Sequence, residues 1–393
     1  MTAFDRLASR VFELYQRRQY RQALDLLDAV TAFDRLASRV FELYQRRQYR
    51  QALDLLDAVT AFDRLASRVF ELYQRRQYRQ ALDLLDKEGV GHPEQAWHIG
   101  YWRVCLLTRL GDAEAALTHL EQLLDQGLWI PVTWLRNDPD LAGLRGHPRF
   151  ERAVAVCEQR QIEAQRMVVP RRVLLFPEGT ALRPEGTALN QGSGSAPPGR
   201  NSVPVLIALH GNAENAARAA DCWRFVASRG WALLAPQSTQ VMGPDAYHWD
   251  DLDRGAQDVL YHYRSVLDDA AAPGVSLDPK RVVLAGFSRG AALALHLALS
   301  GVLPARGVIA LAPHLRDWSY MEGLLEPSPR NPGLRAYFWA GSRDEPAVRM
   351  SEDVARWMEA AGLTVRVEVV QGAGHFYPPD LEARIAPLLA AWR

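Results

Sequence analysis

The chain has 393 residues, enough for two domains of ordinary size, and 48% of them are apolar, enough to bury a sizeable core. Basic and acidic residues balance at 46 each, which argues against a general role on nucleic acid or an anionic membrane surface, because neither polyanion meets a net attractive field. The three cysteines, Cys105, Cys157 and Cys222, are widely spaced with no CxxC. Met1 is followed by charges where a signal peptide needs an apolar run, and no stretch approaches the ~20 apolar residues of a membrane helix, so a cytoplasmic enzyme with reduced thiols is the expectation.

The N-terminal region opens on a tandem repeat. Residues 2–30 recur identically at 31–59, and again from 60 to 86. Phe4, Leu7, Ala8, Val11 and Phe12 recur at helical spacing, as do Tyr20, Ala23, Leu24 and Leu27. Thr2 with Asp5 fits a helix-start signal. Each copy therefore reads as a helical pair turning near Arg17-Arg18-Gln19, or as one long helix. Identity this complete exceeds what packing requires, since terminal repeats of a solenoid normally diverge where they meet water. It points to a recent duplication of one segment or to an error in the sequence, with a single ancestral copy.

Helices are predicted over 93–110 and 112–126, separated by Gly111, and over 148–166. The tracts Tyr20-Arg21-Gln22-Ala23-Leu24-Asp25-Leu26-Leu27 and Gly111-Asp112-Ala113-Glu114-Ala115-Ala116-Leu117-Thr118-His119-Leu120 resemble the second half of a tetratricopeptide unit, although the period is shorter than that family's 34 residues. Residues 1–165 are thus expected to form a tetratricopeptide-like helical array. Such arrays either bind a protein partner or only pack against a neighbouring domain. A second duplication, 177–182 repeated at 184–189, and the Gly/Ser/Pro-rich stretch to 202 read as a surface loop.

From 166 to 393 strands and helices alternate. Strands are predicted at 203–209, 231–235, 281–286, 307–312, 335–340 and 364–370, and helices at 214–229, 253–269, 289–301, 347–361 and 380–392. The alternation implies an α/β domain, a mostly parallel sheet covered on both faces.

Gly286-Phe287-Ser288-Arg289-Gly290 matches G-x-S-x-G between a predicted strand and a predicted helix. There a serine hydroxyl is exposed at a helix N-terminus, where free N–H groups favour developing negative charge. A hydroxyl needs a base, and the base needs an acid to fix its tautomer. Of the downstream histidines, His296 falls inside a helix and His314 follows a strand end. His375 lies in the glycine-rich loop after the last strand and is the expected base. Asp344, at the carboxyl end of the 335–340 strand, is the expected acid, with Glu345 and Asp353 as competitors. The backbone N–H groups of Arg289 and Asn212 are the candidate oxyanion donors, and His210 is expected to be a structural loop residue.

At these residues the sequence resembles the phospholipase/carboxylesterase branch of the α/β-hydrolases: Leu209-His210-Gly211, Trp249-Asp250-Asp251, Gly286-Phe287-Ser288-Arg289-Gly290, Gly341-Ser342-Arg343-Asp344 and Gly374-His375. The resemblance implies an α/β-hydrolase fold, a Ser288–Asp344–His375 triad and a pocket bordered by Trp249. Arg289 departs from the glutamine of the best-known members, which changes the charge near the pocket. Trp249, Phe287 and Phe376 are the candidate substrate-binding residues, with Trp318, Tyr320 and Tyr377 nearby, and 314–333 is long enough for a small lid. Histidine spacing such as H-E-x-x-H is absent, as are GxGxxG and a P-loop, so no metal and no cofactor are expected. The expected activity is hydrolysis of a small acyl ester or thioester. Two alternatives stay open: a serine peptidase on the same fold, and a non-catalytic protein that binds a partner through its helices.

Overall fold

A computed structural model of the chain describes residues 62, 65–66, 68–177, 202–268, 276–326 and 328–393. The first two repeat copies and most of the small duplication lie outside them. The described residues form two compact units. One runs up to Val169 and includes Val241–Ala246; the other comprises Pro170–Gln240 and Tyr247–Arg393.

In the first unit the third repeat copy is a helical pair, not one helix. Residues 68–74 are helical, and the chain turns at Arg75-Arg76-Gln77 into α1 (Tyr78–Glu88). Arg76 sits at φ 57° in that turn. Leu65, Val69, Ala81, Leu82 and Leu85 bury together with Ile99 and Leu106 of α2 (Ala96–Arg109). Gly111, at φ 82°, reverses the chain into α3 (Ala113–Asp125), as its predicted breaker role requires. The predicted 93–110 helix starts later, because Pro93–Gln95 forms a separate 3-10 turn. Then follow α4 (Val132–Asn137), a 3-10 turn (Pro139–Leu144) and α5 (Pro148–Met167). Arg149 of α5 binds Glu114 and Glu121 of α3 at 2.8 and 2.6 Å.

The second unit is built on a seven-stranded sheet. Its strands are β1 (Arg172–Leu175), β2 (Ser202–Leu209), β3 (Ala232–Pro236), β6 (Ser276–Phe287), β7 (Gly307–Leu311), β8 (Arg335–Gly341) and β9 (Thr364–Val370). They lie in the order β1-β3-β2-β6-β7-β8-β9. Only β1 is antiparallel, to β3. Two short strands that the sequence does not announce, β4 (Val241–Gly243) and β5 (Ala246–Tyr247), pair separately. The register of β2 on β6 shifts between Val203 and Val205. Pro204 stands there, and a proline cannot donate to a ladder inside a sheet.

Successive strand residues feed opposite faces. Ile207, Leu209, Leu234 and Leu284 pack under α8 (Leu252–Asp268), α9 (Arg289–Leu299) and α11 (Glu345–Ala360). Leu206, Ala208, Leu233 and Val283 pack on the other side with α6 (Ala216–Trp223), α7 (Phe225–Ser228) and α12 (Leu381–Trp392). Where one helix is predicted over 214–229, there are two. Asn215 caps the first through Arg218 N at 2.9 Å, and the chain breaks at Arg224. The segment 314–333 carries the short helix α10 (Tyr320–Gly323). Among the described residues no helix is long and apolar enough to cross a membrane.

Candidate active site

Loops at the carboxyl ends of β2, β6, β8 and β9 bring the candidate residues together, where parallel sheets build their sites. The β6–α9 turn holds Ser288 at φ 55° and ψ −118°, a conformation L-residues rarely adopt. The two motif glycines make that turn sterically feasible. A Cβ on Gly290 would stand 2.4 Å from the backbone oxygens of Leu209 and His210, and one on Gly286 would stand 2.3 Å from the Gly290 carbonyl carbon. The Ser288 N–H donates to Leu311 O at 2.9 Å, and its carbonyl accepts His314 N–H at 3.1 Å. Arg289 starts α9, so its N–H belongs to the first turn, which lacks intrahelical acceptors.

His375 Nε2 lies 2.9 Å from Ser288 Oγ, and His375 Nδ1 lies 2.5 Å from Asp344 Oδ2. Asp344 and Ser288, 31 and 87 positions before His375, thus each make a hydrogen-bond contact with its ring. Asp344 caps α11, with Oδ1 accepting Ala347 N–H at 3.4 Å. Burial would raise its carboxyl, but the His375 hydrogen bond and charge and the Ala347 N–H hold it below its usual value. The loop before His375 crosses directly over Gly341, where a Cβ would sit 2.4 Å from Ala373 O. The His375 side chain is 39% exposed, so its imidazole is open to an incoming molecule.

Of the rival residues, only His314 stands near His375. Glu345 pairs with Arg349 at 3.7 Å, and Asp353 binds Arg356 and the Trp318 indole. His296 faces Tyr320 and Asp253. His314 is near, its ring centre 6.2 Å from that of His375; burial and the His375 charge lower its pKa. His210 is fully buried, accepts Ser238 N–H at Nε2 and meets Gly211 O at Nδ1. Burial takes it down to about 4, so it stays neutral near pH 7.

Of the candidate pocket residues, Phe287 is stacked on Tyr377 at 4.3 Å and stands 4.9 Å from the His375 ring. Phe376 is 46% exposed. Trp249 differs from the expectation of a pocket border. It is fully buried, and its Nε1 donates to His210 O at 2.9 Å, so it supports the 210–213 loop from beneath. Asn212 accepts Trp249 N–H at its side-chain oxygen, 3.4 Å away.

Sequence reasoning missed two features. Arg289 reaches Asp250 with Nε and Nη2 at 3.0 and 2.6 Å, so the added cation is matched by a carboxylate. A His248 hydrogen bond, with Arg289 beside it, holds that carboxyl well below the usual range. Glu214, a lone acid four residues after His210, folds back onto Gly211 N–H at 2.8 Å.

Two family models match the chain. One, described as the N-terminal domain of A/B hydrolase-like proteins, matches residues 61–165. The other, described as chlorophyllase, matches residues 195–313. No curated protein matches. Among solved structures, an uncharacterized protein from Bacillus cereus is 21% identical with a TM-score of 0.44, over 84% of this chain and 98% of that one. Esterase PE8 is 21% identical with a TM-score of 0.42, over 57% of this chain and 100% of its own. The Bacillus cereus carboxylesterase is 15% identical with a TM-score of 0.42, over 59% and 99%. The sheet order, the helices on both faces and the serine turn after β6 define the second unit as an α/β-hydrolase fold.

Proposed function

We propose that the chain is a serine hydrolase of carboxylic esters or thioesters. The observation that carries this reading is the line from Ser288 Oγ to His375 Nε2, and from His375 Nδ1 to Asp344, at 2.9 and 2.5 Å. His375 takes the Ser288 proton as the oxygen attacks the acyl carbonyl. The N–H groups of Arg289 and Asn212 receive the negative charge that develops on the carbonyl oxygen. The leaving alcohol or thiol takes the proton back from His375. Water then attacks the acyl-enzyme with His375 again as base, releasing the acid and restoring Ser288. Asp344 holds the imidazole in the tautomer with its proton on Nδ1. Phe287 and Phe376 are proposed to contact the acyl group, and Trp249 to border the pocket indirectly through the His210 loop.

The helical unit is proposed to be a tetratricopeptide-like array, with the pairs at 68–88 and 96–125 in its support, and to be open to a protein partner. A cytoplasmic location is proposed on the same footing as the reduced thiols. The test is turnover of short p-nitrophenyl esters by purified protein. Ser288→Ala and His375→Ala are each expected to lower kcat by about 10⁴-fold or more, with only slow residual hydrolysis. Turnover that survives Ser288→Ala would sink the reading.

A further inference from the structure

Resting on that hydrolase reading, we propose that Glu214 is a positioning residue of the oxyanion hole, one carboxylate that ties the Asn212 loop to the loop bearing His375. Of the four amides from Gly211 to Glu214, three have acceptors. Gly211 N–H donates to Glu214 Oε2 at 2.8 Å, Ala213 N–H to Tyr247 O at 2.9 Å and Glu214 N–H to Gly211 O at 3.3 Å. The Asn212 amide alone has no hydrogen-bond acceptor among the described residues. Asn212 is only half-buried, so this amide is free to donate to an incoming ligand oxygen. The Glu214 side chain creates this arrangement: by occupying the amide before Asn212, it fixes the peptide plane that aims the next one.

The turn also needs holding. Ala213 stands at φ 62°, a strained position for a residue with a Cβ. Tyr247 N–H clamps Glu214 O at 3.0 Å on the far side. The same carboxylate oxygen that binds Gly211 lies 3.5 Å from the Tyr377 hydroxyl. Tyr377 stacks on Phe287, which stands beside His375. Arg218 completes the group, with Nε 3.9 Å from Glu214 Oε1 and its guanidinium 5.9 Å from the Tyr377 ring centre. One acid therefore touches the donor side and the base side of the site. Burial raises the Glu214 carboxyl, opposed by Arg218 and the Gly211 N–H. What the loop uses is an acceptor oxygen at the right reach, which either protonation state supplies.

A residue that only stabilised the fold would not distinguish a planar ester from a tetrahedral adduct. The test uses the full chain, a short p-nitrophenyl ester and an alkyl boronic acid that adds to Ser288. Glu214→Ala is expected to lower kcat about 10–100-fold with KM changed less than about threefold, somewhat below the cost of deleting a donor outright. Boronate affinity is expected to fall by the same factor as kcat/KM, because the adduct fills the hole. Glu214→Gln, which keeps the acceptor, should restore both to within about fivefold of wild type. Glu214→Asp keeps the charge, loses the reach and should resemble Glu214→Ala, which keeps the test open if the alanine variant does not fold. Unchanged boronate affinity in Glu214→Ala or Glu214→Asp, or a glutamine variant as impaired as either, would overturn the proposal while leaving the hydrolase reading intact. A wild-type protein that neither turns over ester nor binds boronate would overturn both.

Discussion

Ser288 owes its backbone conformation to atoms that are missing around it. Its φ of 55° is kept because the sheet edge at Leu209 and His210 runs against Gly290 without room for a methyl group. Gly290→Ala must displace backbone, not a flexible side-chain end, and overpacking of this kind costs about 1–3 kcal/mol. We expect a lower Tm by differential scanning calorimetry and a drop in kcat/KM of at least tenfold, since the same displacement moves the proposed oxyanion donors. In the proposed mechanism Asp344 acts through the imidazole tautomer. Asp344→Asn keeps the shape but presents an N–H or a neutral oxygen to His375, and kcat should fall by about 10³–10⁴-fold while the fold survives. Stopped-flow measurement of ester turnover checks this; a loss under tenfold would mean the carboxylate is not orienting the base.

At the scale of elements, the scaffold and the site draw on different parts of the chain. Strands supply the platform, and the loops after β2, β6, β8 and β9 supply every group of the proposed mechanism. The β6–α9 elbow was legible in the sequence because the apolar run changes period at a glycine-flanked serine, a local signal. The placement of His375 after β9 was legible because Gly372 and Gly374 just before it and Pro378-Pro379 just after it mark a loop. Glu214 was not, since a single acid in a turn has no pattern to betray which amide it will cap. A motif gives the proximity of Trp249 to this region but not the direction of its side chain; its indole turns inward to His210 O. The β4–β5 hairpin was missed because strands of three and two residues carry no periodicity. In the helical unit, Asp112 caps α3 by accepting Ala115 N–H at 3.1 Å. Asp112→Ala should destabilise that unit by about 1 kcal/mol, seen as a shift in the chemical-denaturation midpoint, with ester kcat unaltered.

For the whole molecule, stability and chemistry respond to acid at different groups. His210 and His262 are both buried, and burial takes each down to about 4. Neither ring nitrogen of His262 has a hydrogen-bond partner among the described residues. Unfolded, both titrate near 6.5, so between about 6.5 and 4 the unfolded chain binds more protons and stability falls as pH falls. Above 6.5 these two groups leave stability flat. At pH 5 each costs on the order of 2 kcal/mol relative to pH 7. His262→Leu should therefore be near neutral or stabilising at pH 7 and should flatten the decline between pH 7 and pH 5, as read from urea unfolding at the two pH values. An unchanged slope would show that His262 does not stay neutral in the fold. The account's central claim is that one particular oxygen forms the covalent bond. Its most direct test is reaction of the full chain with a fluorophosphonate, followed by tandem mass spectrometry of the digested adduct. The account predicts one phosphonyl group per chain, on Ser288, and none on protein carrying His375→Ala within the same reaction time. A modified residue other than Ser288, or an unmodified chain, would contradict it.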